Sequence, residues 1–71
     1  MGKTLTSEII ASNIKAERRR AGFTQAEIAK VLNVSRTTYG TIEKNPGKYS
    51  FNLMEALASA FGCSVNDFFM V

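Results

Sequence analysis

Arg36, Thr37 and Thr41 are the residues of this 71-residue chain whose types and spacing could do chemistry, with Thr24 and Gln25 before them and Lys44 and Lys48 after. That chemistry is recognition, not bond breaking. A guanidinium bonds bidentately to guanine O6 and N7, and a short Thr suits a thymine methyl or a hydroxyl bond to a base or phosphate. An outward Arg and two Thr also occur on any solvated helix, so the reading depends on the element beneath them. Enzyme chemistry has little to stand on. The chain has no His to serve as base, and its one Cys lacks an evident activating partner. Its six carboxylates are scattered at helical surface spacings, and no Gly-rich loop fits a phosphate-binding pattern. A lone cysteine forms no internal disulfide, and without His no metal site and no cofactor is expected. Cys63 is expected to fill a small apolar slot after a helix.

The element that must position these side chains is residues 24–44, TQAEIAKVLNVSRTTYGTIEK. Thr24-Gln25-Ala26-Glu27 reads as a capping box. From it Ala26, Ile28, Ala29 and Leu32 recur at helical spacing as one apolar face. Asn33 tolerates the left-handed conformation that ends a helix, and Ser35 is a good N-cap for a second helix reaching about Lys44. Two helices joined this tightly match a helix-turn-helix, whose second helix enters a DNA groove. A packing hairpin with no other role is the alternative. On the second helix Tyr39 and Ile42, three apart, are expected to face the core. Ser35, Arg36, Thr37, Thr41 and Lys44 then point outward, with Thr38 at the edge and Gly40 exposed. Free N–H groups at the start of the preceding helix, beside Thr24 and Gln25, would seat a phosphate, with Lys44 and Lys48 flanking the other side.

The whole chain reads as all-α, a compact bundle of about five short helices in one domain, 1–71. The first begins after Thr6 or Ser7 and runs to about Ala21, burying Ile10, Ile14 and Ala21, with Gly22 as its stop and Phe23 as a core plug. Asn45-Pro46-Gly47-Lys48-Tyr49 is a turn. A fourth helix starts after Ser50 and ends near Phe61, with Met54, Leu57, Ala58 and Phe61 on one face. Gly62 stops it, and a short fifth helix follows Ser64, capped through Asp67 and carrying Val65, Phe68 and Phe69.

Charge is placed unevenly. The net value is +3, but residues 1–44 hold eight Lys or Arg against four Glu, and residues 45–71 hold Lys48 against Glu55 and Asp67. The excess therefore lies with the half that would meet a polyanion. Arg18, Arg19 and Arg20 also suit the negative end of the first helix, and Arg19 and Arg20 read as solvated. A hydrophobic fraction of 45% argues against disorder. No segment approaches the roughly 18 apolar residues that span a bilayer. The N-terminal MGKTLTSEII has too short an apolar run for a signal peptide, so a cytoplasmic location, with the nucleoid, is expected.

Read in order, Ile14-Lys15-Ala16-Glu17-Arg18, Gly22-Phe23-Thr24-Gln25, Val34-Ser35-Arg36, Ile42-Glu43-Lys44 and Leu57-Ala58-Ser59-Ala60-Phe61-Gly62-Cys63-Ser64 resemble the lambda-repressor-like, Cro-type helix-turn-helix DNA-binding family. The resemblance covers nearly the whole chain. Asn33 stands where that family usually has Gly, Tyr39 where an aliphatic residue is commoner, and Asn45-Pro46-Gly47 replaces a simpler loop. The resemblance implies base readout at Arg36, Thr37 and Thr41. It also implies a phosphate contact at Gln25, with Thr24 beside it, and a structural ion pair between Arg18 and Glu43; Ser35, Lys44 and Lys48 are expected to meet phosphates as well.

The tail, Val65 to Val71, is apolar for a chain end. Phe68, Phe69, Met70 and Val71 are expected to form a dimer or partner interface, the alternative being that both Phe residues plug the core of a monomer. Together these features imply a Cro-like transcriptional repressor of a phage or mobile-element switch, binding an operator in double-stranded DNA as a homodimer. So short a chain is expected to hold no sensor domain, leaving control to abundance and competition. The rival is a protein-interaction module, an antirepressor or antitoxin whose target is another repressor or protein.

Overall fold

Thr6 opens the first helix by accepting a hydrogen bond on Oγ1 from the Ile9 N–H at 3.2 Å. The computed structural model describes residues 6–71 of the chain; part of the N-terminal run read against a signal peptide lies outside the described residues. Helix α1 spans Ser7–Arg20, and Gly22 turns the chain out of it at φ +86°, a conformation that costs glycine little. Helix α2, Gln25–Leu32, begins at a reciprocal cap. Thr24 Oγ1 accepts from the Glu27 N–H at 3.1 Å, and Glu27 Oε1 accepts from the Thr24 N–H at 2.8 Å. That second bond holds the Glu27 carboxyl below its ordinary range. Asn33 ends α2 at φ 59°, doing with an amide side chain what glycine does at Gly22.

Helix α3 spans Arg36–Lys44, capped by Ser35, whose Oγ accepts from the Thr38 N–H at 3.0 Å. A 3₁₀ turn, Pro46–Lys48, leads to helix α4, Phe51–Phe61, capped by Ser50 and ended by Gly62. The expected fifth helix is a 3₁₀ helix, Val65–Phe69, so the described chain holds four α-helices and two 3₁₀ segments and no strand. Five residues are too few to repay α-helix nucleation, whereas the i→i+3 bond from the Asp67 N–H to the Ser64 carbonyl closes at once.

The core is one cluster. Ile14, Ile28, Tyr39, Leu57 and Phe68 are fully enclosed, with Ala29, Ile42, Met54, Ala58 and Phe61 around them. Phe61 sits between Phe23, its ring centre 6.0 Å away, and Phe68, edge-on at 6.3 Å. Burying each large side chain contributes about 1.5–3 kcal/mol, which is how so small a chain holds its helices together.

Three expectations need correction. Ala26 is exposed rather than part of the apolar face, because the second residue of α2 turns away from Ile28 and Ala29. Gly40 is half-buried rather than exposed, and lines the groove that separates α3 from α1. Arg20 is not merely solvated. Its Nε meets Glu17 Oε1 at 2.6 Å, and its Nη2 donates to the Phe61 carbonyl at 2.8 Å, satisfying an end carbonyl of α4. Among the described residues no helix is long and apolar enough to cross a membrane.

Candidate nucleic-acid interface

Helix α3 is seated by its inner side. Tyr39, Ile42 and Glu43 are buried, whereas Arg36, Thr37, Thr38, Thr41 and Lys44 are exposed. The seat is polar at its centre. Glu43 Oε2 accepts from Arg18 Nε at 2.8 Å and from the Tyr39 hydroxyl at 2.5 Å. Glu43 Oε1 accepts from Arg18 Nη2 at 3.2 Å and from Gln25 Nε2 at 3.4 Å. One carboxylate thus gathers donors from α1, α2 and α3. Arg18 spends a further N–H, from Nη1, on the Phe23 carbonyl at 2.7 Å.

Burial alone would raise the Glu43 carboxyl, but the hydrogen bonds from Arg18 and Tyr39, the Arg18 charge and the Gln25 amide outweigh it. The carboxyl lies below its ordinary range. The Glu43 hydrogen bond pushes the Arg18 guanidinium up, and burial, then Glu43, push the Tyr39 phenol up. Glu43 therefore stays ionised and Tyr39 neutral at working pH. Tyr39 adds a donor to the ion pair that seats the helix.

The outward residues have their own local ties. Ser35 Oγ, besides capping α3, donates to Thr38 Oγ1 at 2.9 Å, and Thr41 Oγ1 donates to the Thr37 carbonyl at 3.2 Å. The Thr41 methyl and hydroxyl lone pairs remain available from that position. Thr24 is committed to its cap through a lone pair, so its hydroxyl hydrogen is not used there.

Two shallow grooves run beside α3. One, about 430 Å³, is lined by Lys15, Arg18 and Arg19 of α1, by Thr24, Gln25 and Ala26, and by Arg36. The other, about 520 Å³, shares Lys15 and Gln25 with it and continues past Gly40 and Glu43 to Lys44. The structure therefore brings Thr24, Gln25, Arg36 and Lys44 to one face with Arg18 and Glu43 behind it. Lys48 is exposed on the 3₁₀ turn and lines neither groove. Lys15 and Arg19 were not anticipated at this face, although their i, i+4 spacing on α1 places them on one side of that helix.

At the other end of the molecule the tail divides. Phe68, expected at an interface, is fully enclosed in its own core and presents nothing to a partner. Phe69 is half-buried at the edge of the core and lines a shallow apolar cavity with Ile10, Tyr49, Phe51 and Met54, and Met70 and Val71 are each 63% exposed. Asn13 of α1 pins this segment by its backbone. Its Nδ2 donates to the Phe68 carbonyl at 2.9 Å and to the Met70 carbonyl at 2.7 Å.

A helix-turn-helix family model matches residues 14–68, the span that holds α2, α3 and the Arg18–Glu43 pair that seats them. The chain belongs to the lambda-repressor-like helix-turn-helix family of DNA-binding regulators. It is 32% identical over 62 residues to the competence pilus inhibition repressor of Acinetobacter baylyi, an alignment covering 87% of this chain and 56% of that protein. The chain thus spans about half the length of that relative. No solved structure matches it. Within this helix-turn-helix chain, no group of His, Cys, Asp and Glu among the described residues could hold a metal ion.

Proposed function

We propose that the chain is a sequence-specific DNA-binding transcriptional repressor that lays α3 in the major groove. The observation that carries this reading is the division of α3. Tyr39, Ile42 and Glu43 fix one side, and the other offers Arg36, Thr37, Thr41 and Lys44 to solvent. Arg36, Thr37 and Thr41 read base edges. Thr24 and Gln25 at the start of α2, with Ser35, Lys44 and Lys48, hold phosphates and set the register. The family match and the repressor named among its relatives support regulation by repression.

The finer reading is a Cro-like switch protein of a phage or mobile element, acting in the cytoplasm at the nucleoid. Residues 1–71 would act as one DNA-binding unit and pair as a homodimer through Phe69, Met70 and Val71. Exposed Met70 and Val71 equally favour a second reading, docking on another repressor, as an antirepressor or antitoxin would.

Selection of bound duplexes from a random pool tests the primary reading. It should return a preferred site, and Arg36→Ala should then lose about 1–3 kcal/mol on that site and relax preference at one base pair. Lys44→Ala should instead weaken binding to preferred and random duplexes alike and reduce the salt slope by about one. Equal loss on all sequences for Arg36→Ala would make Arg36 a phosphate contact. A pool from which no sequence is enriched would remove sequence-specific binding, and with it this reading.

A further inference from the structure

Lys15 and Arg19 stand one turn apart on α1 and share the 430 Å³ groove with Arg36, which enters it from the start of α3. The ion pairs of the described residues are Arg18–Glu43 and Arg20–Glu17, so none of these three cations has a carboxylate partner. Arg18, between them, is turned inward onto Glu43 and is spent. Like charges at i, i+4 repel, and a third cation converging on the same concavity adds to that repulsion. The cost is removed when an anion occupies the groove. Its lining includes the first turn of α2 at Gln25 and Ala26, whose leading N–H groups have no carbonyl behind them. Lys15 also lines the adjoining groove that leads to Lys44, whose two acidic residues are Glu8 and the Glu43 already paired with Arg18. Positive side chains thus continue from Arg36 and Arg19 through Lys15 to Lys44 along one face.

We propose that α1 is itself part of the DNA interface, with Lys15 and Arg19 each holding a backbone phosphate of the strand that crosses the start of α2. The proposal rests on the DNA-binding reading above. It adds a third element to the two helices of the motif, and its contribution is independent of sequence because it reaches no base edge.

The test is a salt titration of the full chain on a random-sequence duplex about three helical turns long, with circular dichroism to verify folding. Each phosphate contact contributes about 0.9 to the slope of log affinity against log salt concentration. Lys15→Gln with Arg19→Gln should therefore flatten the slope by about two, and Lys15→Arg with Arg19→Lys should restore it. Lys30→Gln, at an exposed position lining neither groove, is the control and should leave the slope within about a few tenths of wild type. An unchanged slope in the double Gln variant overturns the proposal, as does an equal flattening by Lys30→Gln, which would reflect net charge alone. A wild-type chain without salt-dependent affinity for any duplex would instead overturn the DNA-binding reading beneath it.

Discussion

Tyr39 donates its hydroxyl to Glu43 Oε2 at 2.5 Å, one turn further along α3, on the same oxygen that receives Arg18 Nε. The phenol is fully enclosed, so this bond cannot be replaced by water when it is removed. It makes the helix expected to read DNA brace its own salt bridge from within, while Arg18 and Gln25 brace it from α1 and α2.

Tyr39→Phe should cost about 1.5–3 kcal/mol, the range for a hydrogen bond to a charged group, with little change in packing. Urea unfolding of Tyr39→Phe, Glu43→Gln and the pair gives the coupling directly. A coupling near zero would mean that the hydroxyl only fills space.

Arg18 and Glu43 expose 8% and 6% of their side chains, so breaking their pair strands a buried charge. Arg18→Met should cost about 3–5 kcal/mol, whereas Arg18→Met with Glu43→Leu should recover much of that loss. Thermal unfolding of both variants decides the matter. Equal destabilisation would show that the carboxylate is retained for Tyr39 and Gln25 rather than for Arg18.

Acid should weaken the fold through the same group. The Glu43 carboxyl lies below its ordinary value of 4.5 when folded, so protonation favours the unfolded chain. The stabilisation is complete above about pH 4.5 and is lost as pH falls from there through the folded-state value. Glu43→Gln should show a shallower loss across that window, although Glu27, shifted in the same direction, leaves some acid sensitivity. Parallel curves for variant and wild type would place the acid lability elsewhere.

Gly40 lies inside α3 at a position where an added Cβ would meet nothing within 4 Å. Gly40→Ala should therefore stabilise the chain by about 1 kcal/mol through helix propensity alone. A simultaneous fall in DNA affinity would indicate that the open groove beside Gly40 is needed for close approach of the duplex.

The tail offers the last test. Deleting Met70 and Val71 with Phe69→Ser removes exposed or half-buried apolar groups and leaves Phe68 in the core. A folded monomer with weak, non-specific DNA binding is expected, because two half-sites need two linked readers. Sedimentation gives the mass and circular dichroism the fold. An unfolded variant would assign Phe69 to the core, and a wild-type monomer would remove the dimer reading.

Much of this was legible locally. The Thr24 and Glu27 cap, the left-handed Asn33, the Ser35 cap and the Gly62 stop all join groups within a few residues, so adjacent sequence determines them. The 3.6-residue period likewise placed Tyr39 and Ile42 inward and Arg36, Thr37, Thr41 and Lys44 outward, because a helix face is set by its own spacing. The family resemblance singled out Arg18 with Glu43, which spacing could not. What needed the tertiary structure was every meeting between distant elements. Asn13 reaches carbonyls 55 and 57 residues away, Arg20 reaches Phe61, and Gln25 turns its amide to Glu43. Phe68 and Phe69 are adjacent and identical in type, yet one is enclosed and the other only half so. Hydrophobicity says that such side chains seek cover but not which has a neighbour to supply it; that is decided when α1, α4 and the tail pack together.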